Sequence, residues 1–143
     1  MALFKKTSPT PQSARMTNQR LDALIRIVSQ EVSGQLGYWQ FNVRGRDLLI
    51  MTDETHNRMR IMAPIAPQAE LDNTELIELL EANYGRALDA KYALNDGVLW
   101  SVFTHPLGEL TDDQFTDCIN QVATLADNFG ASYASSDLRF QGR

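Results

Sequence analysis

Between Thr17 and Ser33 the apolar residues Leu21, Leu24, Ile25, Val28 and Val32 recur at helical spacing, with Arg20, Asp22, Arg26 and Glu31 on the other side. Thr17 suits the N-cap and Gly34 the stop, so the pattern predicts an amphipathic helix over 17–33. The period then falls to two. In Tyr38–Val43, Trp39, Phe41 and Val43 alternate with polar neighbours, as in a half-buried strand. Arg44-Gly45-Arg46-Asp47 turns the chain. With Gly45-Arg46 as a two-residue loop, Val43 faces Leu48, and Leu48 and Ile50 point to the core. A third strand, Arg58–Ile65, directs Met59, Ile61, Ala63 and Ile65 the same way, and Pro64 and Pro67 close it.

Two helix starts share one grammar. Asp72 and Glu75 form a capping-box pair with Leu71 and Leu76 as the hydrophobic staple; Thr111 and Gln114, with Leu110 and Phe115, repeat it. The expected buried stripe is Leu76, Leu79, Leu80 and Tyr84 in the first of these helices, ending at Gly85. In the second it is Phe115, Cys118, Ile119, Val122, Leu125, Ala126 and Phe129, ending at Gly130. Between them lies a hairpin, Asp89–Leu94 and Val98–His105. A three-residue loop, Asn95-Asp96-Gly97, would pair Leu94 with Val98 and Tyr92 with Trp100. The order is α-β-β-β-α-β-β-α, an α+β fold with an antiparallel sheet packed against helices. Residues 17–143 read as one domain, preceded by a flexible basic arm over residues 1–16.

These registers send Trp39, Phe41, Leu48, Ile50, Ile61, Tyr92 and Trp100 towards the helices. They leave Tyr38, Leu49, Met51, Met62, Leu99 and Phe103 on the opposite face, beside Gln40, Asn42, Arg60, Lys91 and Ser101. A sheet covered on one side is polar on the other. Six large apolar side chains there imply a covered face. The cover is either the chain's own helix or C-terminal segment (Tyr133, Leu138, Phe140), or a partner chain or second copy. Those six residues are the candidate partner-binding set, and methionines on such a face suit adaptable recognition of a peptide or helix.

Charge narrows the partner. Residues 1–20 hold Lys5, Lys6, Arg15 and Arg20 and no acid, leaving nine bases against eighteen acids in the rest, for a net −5. So acidic a body is a poor nucleic-acid binder, because phosphate neutralisation supplies most of that affinity. No run of about 18 apolar residues predicts a membrane span. The start, Met-Ala-Leu-Phe-Lys-Lys, builds no secretory apolar region, though its acid-free, hydroxylated composition is also compatible with an organellar transit peptide. The single cysteine, Cys118, makes no internal disulfide, which points to the cytoplasm.

Candidate chemistry is sparse. There is no Gly-rich phosphate loop, Cys-x-x-Cys or His-Glu-x-x-His. His56 and His105 lack metal-ligand spacing. Cys118 sits in an apolar stripe, Asp53 and Glu54 in a turn, and Asp112 and Asp113 suit a helix N-terminus. No catalytic residue, metal or cofactor is expected, and the chain reads as a non-enzyme.

The element order, with the capped helices Leu71–Gly85 and Leu110–Gly130, resembles the type III secretion chaperone-like fold and its YbjN-like bacterial relatives over residues 17–130. That resemblance implies a non-enzymatic dimer holding an extended or unfolded segment of a client protein. It carries over no functional residue. A second reading is a regulatory or assembly factor that docks on a folded complex through its basic N-terminal arm. A third, a small-molecule enzyme, requires a concave polar pocket with perturbed titratable groups.

Overall fold

The structure, a computed structural model, describes residues 15–137. Helix α1 (Asn18–Val28) starts where expected, with Thr17 accepting from the Arg20 backbone N–H at 3.2 Å. It ends earlier than expected. Ser29 is already extended (φ −144°, ψ 140°), and its buried hydroxyl accepts from the Asn42 N–H. Val32–Gln35 is therefore not helix but an edge strand, β1, pairing with β2 (Tyr38–Val43). Val32 lies four residues after Val28, which satisfies a helical stripe as well as a strand. Gly34 decides between them. Its φ is +105°, and a Cβ there would strike the Tyr38 carbonyl oxygen.

Strands β3 (Arg46–Asp53), β4 (Arg58–Pro67), β5 (Lys91–Asn95) and β6 (Val98–His105) complete a six-stranded sheet ordered β1-β2-β3-β4-β6-β5, every neighbour antiparallel. The β2–β3 loop is Arg44-Gly45 rather than Gly45-Arg46, so Phe41, not Val43, faces Leu48. A shift of two in pairing leaves every side chain on its expected face. The β5–β6 hairpin has the greater consequence. Its loop is the two residues Asp96-Gly97 (φ 50° and 80°), which pairs Leu94 with Leu99 and Tyr92 with Ser101. That is a one-residue slip from the expected register, and it reverses the faces of β6.

Helices α2 (Asn73–Gly85) and α3 (Asp112–Asp127) both carry complete capping boxes. They close with Glu75 N–H to Asp72 Oδ1 at 2.8 Å and Gln114 N–H to Thr111 Oγ1 at 3.1 Å. Helix α3 buries Phe115, Cys118, Ile119, Val122, Leu125 and Ala126, as its pattern predicted. Helix α2 does not follow its predicted stripe. It buries Leu79 and Ala82, while Leu80 is 70% exposed and Tyr84 68%. The helices share one core with the inner sheet face, including Trp39, Phe41, Leu48, Ile50, Ile61, Leu99 and Phe103. Polar groups turned inwards find helix carbonyls: Ser101 Oγ donates to Val122 O at 2.9 Å and Tyr92 OH to Leu125 O at 2.8 Å. The buried Gln121 side chain accepts from the Asp89 and Ala90 N–H groups, pinning the loop before β5 to α3.

The chain enters this body tightly. Met16 is buried, its N–H donates to Gly108 O at 3.1 Å, and the Arg15 guanidinium lies over Gly108. The last two residues of the expected arm thus belong to the fold, and residues 1–14 lie outside the described residues. Among the described residues no helix is long and apolar enough to cross a membrane.

Candidate partner-binding surface

Antiparallel pairing fixes what the outer sheet face displays. Tyr38 sits opposite Met51, Leu49 opposite Met62, and Met62 opposite Val102. Four of the six expected residues therefore do share this face: Tyr38, Leu49, Met51 and Met62. Tyr38 and Met51 are exposed, and Leu49 and Met62 half-buried. Leu99 and Phe103 do not join them. They are 1% and 8% exposed, packed in the core on the other side. The cause is the Asp96-Gly97 loop, which turns Trp100 and Val102 outwards in their place. Ser101, expected on the outer face, points inwards instead, where its hydroxyl is satisfied by a helix carbonyl. Trp100 pairs with Pro64 just before a bulge at Ile65, and its indole N–H is enclosed without an acceptor among the described residues.

Nothing described covers this face. The one described member of the expected C-terminal cover, Tyr133, packs on the helix side against Tyr92 and Phe129, with Arg86 over its ring at 5.6 Å. Leu138 and Phe140 lie outside the described residues.

A second apolar surface lies on α2, the helix that was the alternative partner site in the sequence and whose stripe was expected to be buried. Ile77, Leu80 and Tyr84 project from α2, and a groove of about 350 Å³ runs between Leu76, Leu79, Leu80, Tyr92, Leu94 and Leu99. The cue was in the sequence: Ile77 adds an apolar position outside the stripe, so α2 has more hydrophobic residues than one buried face can take.

No family model matches this chain, and no curated protein matches it in sequence. Solved structures do match. A chain of the HopA1-SchA chaperone-effector complex is 14% identical, with a TM-score of 0.58, over 85% of this chain and 98% of that one. A chain of the ExsC-ExsE complex is 12% identical, TM-score 0.61, over 78% and 92%. A third match comes from the structure of the Yersinia pestis type III secretion chaperone SycH in complex with a stable fragment of YscM2. It is 12% identical, TM-score 0.60, over 79% and 99%. This chain has the type III secretion chaperone-like fold.

Within that chaperone-like fold the two sheet edges differ. On β5, the Asn83 side chain from α2 donates to Tyr92 O at 3.0 Å and accepts from Tyr92 N–H at 2.8 Å, standing in for a neighbouring strand. The edge beside the α2 groove is thereby occupied, so a partner meets side chains there rather than open backbone. The opposite edge is β1, short and largely exposed.

Of the residues considered for catalysis, His56 meets Asp53 in one turn and His105 shares a hollow with Cys118. His56 is exposed and bonded to Asp53 at 2.8 Å, while His105 meets its neighbour's carbonyl, Pro106 O, at 2.8 Å. His56 is the first cause of the lowered pKa of Asp53. Cys118 lines a hollow of about 470 Å³ with His105, Asp117 and Lys91, but burial pushes its thiol up to about 12. A thiol so hard to ionise is a poor nucleophile at neutral pH. Among the described residues no three His, Cys, Asp or Glu side chains are grouped to hold a metal. Arg44, Arg46 and Arg58 are engaged separately, with Asn120, Asp127 and backbone carbonyls.

Proposed function

We propose that this chain is a non-enzymatic, chaperone-like protein of the cytoplasm that works as a homodimer and holds a segment of a partner protein on its outer sheet face. The observation that carries this reading is the uncovered apolar face of Tyr38, Leu49, Met51 and Met62, joined by Trp100 and Val102. Exposed apolar surface of this kind marks association sites. The fold supports the reading, since the structures it resembles are described as complexes of a chaperone with an effector or with a protein fragment. The α2 face is assigned to the second copy. It is helical, apolar and flanked by an edge that Asn83 has closed, which favours helix-on-helix packing over strand addition.

The alternative, an assembly factor tethered through its basic N-terminal segment, makes the outer face incidental. Co-purification from the native cell with Met62→Glu separates the two. Glutamate there brings an unpaired charge into the contact, which is costly to bury. The variant should keep its thermal midpoint and lose the partner recovered with wild type. Recovery of the same partner at the same yield would refute the outer-face site and favour the tether.

A further inference from the structure

Among the described residues, the charged groups of the outer face make local hydrogen bonds, and its cations do so without a carboxylate partner. Asp47 accepts from Asn42 at 3.1 Å, and Asp53 from the backbone and ring of His56 at 3.0 and 2.8 Å. Lys91 reaches round the edge to the carbonyls of Asn83 and Ala87, and Arg58 donates to Asn57 O at 2.9 Å. Arg60 meets only a neutral hydroxyl, with its Nε donating to Thr104 Oγ1 at 3.3 Å, and among the described residues no carboxylate pairs with it. It stands opposite Met51 on β3 and Thr104 on β6, two residues before Met62. A depression of about 310 Å³ beside Arg60 is lined by Met51, Asp53, Arg58 and Thr104, with Met62 outside it. A guanidinium is a planar fork of five donors shaped for a carboxylate.

We infer that the segment held on this face is extended and carries one carboxylate, from Asp, Glu or a chain terminus, that docks on Arg60 while an apolar side chain two positions away covers Met62. The inference rests on the outer-face reading above. Its spacing follows from geometry, because alternate side chains of an extended segment repeat at the interval that separates Arg60 from Met62 along β4. A segment acidic throughout is disfavoured by the body, which outside residues 1–20 has nine bases against eighteen acids. The match is thus one acid among apolar residues. The chain's own residues 1–14 are the competing occupant, and Lys5 and Lys6 would bring like charge to Arg58 and Arg60.

The test is selection of displayed random twelve-residue peptides on the full-length wild type, Arg60→Gln and Met62→Glu. Wild type should enrich peptides with a single acid two positions from an apolar residue. Changing that acid to its amide should weaken binding about three- to tenfold on wild type and have no effect on Arg60→Gln. Peptides that need Met62 but carry no acid, or whose acid matters equally to Arg60→Gln, would overturn the inference and leave the segment-holding reading standing. Lys- and Arg-rich selections resembling residues 1–14 would also overturn it, naming the chain's own terminus as the occupant. No selected peptides, or peptides indifferent to Met62→Glu, would overturn both.

Discussion

Replacing Phe115 with alanine should lower the unfolding free energy by about 3–5 kcal/mol, while Leu80→Ala should change it by less than about 1 kcal/mol. Both residues belong to stripes that look alike in sequence. Phe115 enters α3 as the staple partner of Leu110 and is 1% exposed, in a core continuous with the inner sheet face. Its loss removes transfer free energy and leaves a cavity that a packed sheet cannot close. Leu80 projects from α2 into solvent, so its truncation deletes no core contact. Chemical denaturation of the two variants at a concentration where the protein is monomeric reads the difference. Equal losses at both positions would mean that α2 packs by the face opposite to the one described.

The second large effect falls on association. Wild type should sediment at twice the 16.1 kDa of a single chain, and Leu80→Glu at 16.1 kDa with an unchanged far-ultraviolet spectrum. Ile77, Leu80 and Tyr84 form the centre of an exposed helix face beside an apolar groove, the setting in which a few side chains carry most of an interface's free energy. An unpaired carboxylate at that centre should weaken self-association at least about a hundredfold. Met62→Glu, on the outer sheet face, should leave the mass doubled. A monomeric wild type would remove the dimer from the account. A Met62→Glu monomer alongside a Leu80→Glu dimer would exchange the roles of the two surfaces.

The α+β class, the capped starts of α2 and α3 and the buried stripe of α3 were legible in the sequence because each rests on local signals that agree. A capping box, a staple and a 3.6-residue period all point to α3. Two features were not. The end of α1 was hidden because Val28 and Val32 satisfy both helical and strand patterns, and only the backbone at Ser29 and Gly34 separates them. The face of β6 turned on one residue of loop length. Asp96-Gly97 makes a two-residue turn, and reading Asn95 into the loop sends Leu99 and Phe103 outwards and Trp100 inwards. Asp-Gly between alternating residues is the stronger signal for the shorter turn, and it was available. The outer face survived this error because Tyr38, Leu49, Met51 and Met62 lie on strands whose register shift was even. The exposure of the α2 stripe was missed for a different reason. Amphipathic periodicity reports that a helix has an apolar side, but not which apolar residues its neighbours reach.

Site-specific photo-crosslinking in the native cell tests the central claim most directly. A photoreactive phenylalanine analogue is placed at Met62 on the outer face, at Leu80 on α2, and at the exposed Asp113 on α3 as a control. The account predicts a discrete adduct with a different protein from Met62, a self-adduct at twice the chain mass from Leu80, and neither from Asp113. Adducts with the same foreign protein from all three positions, or none from Met62 while wild-type protein is folded and abundant, would contradict it.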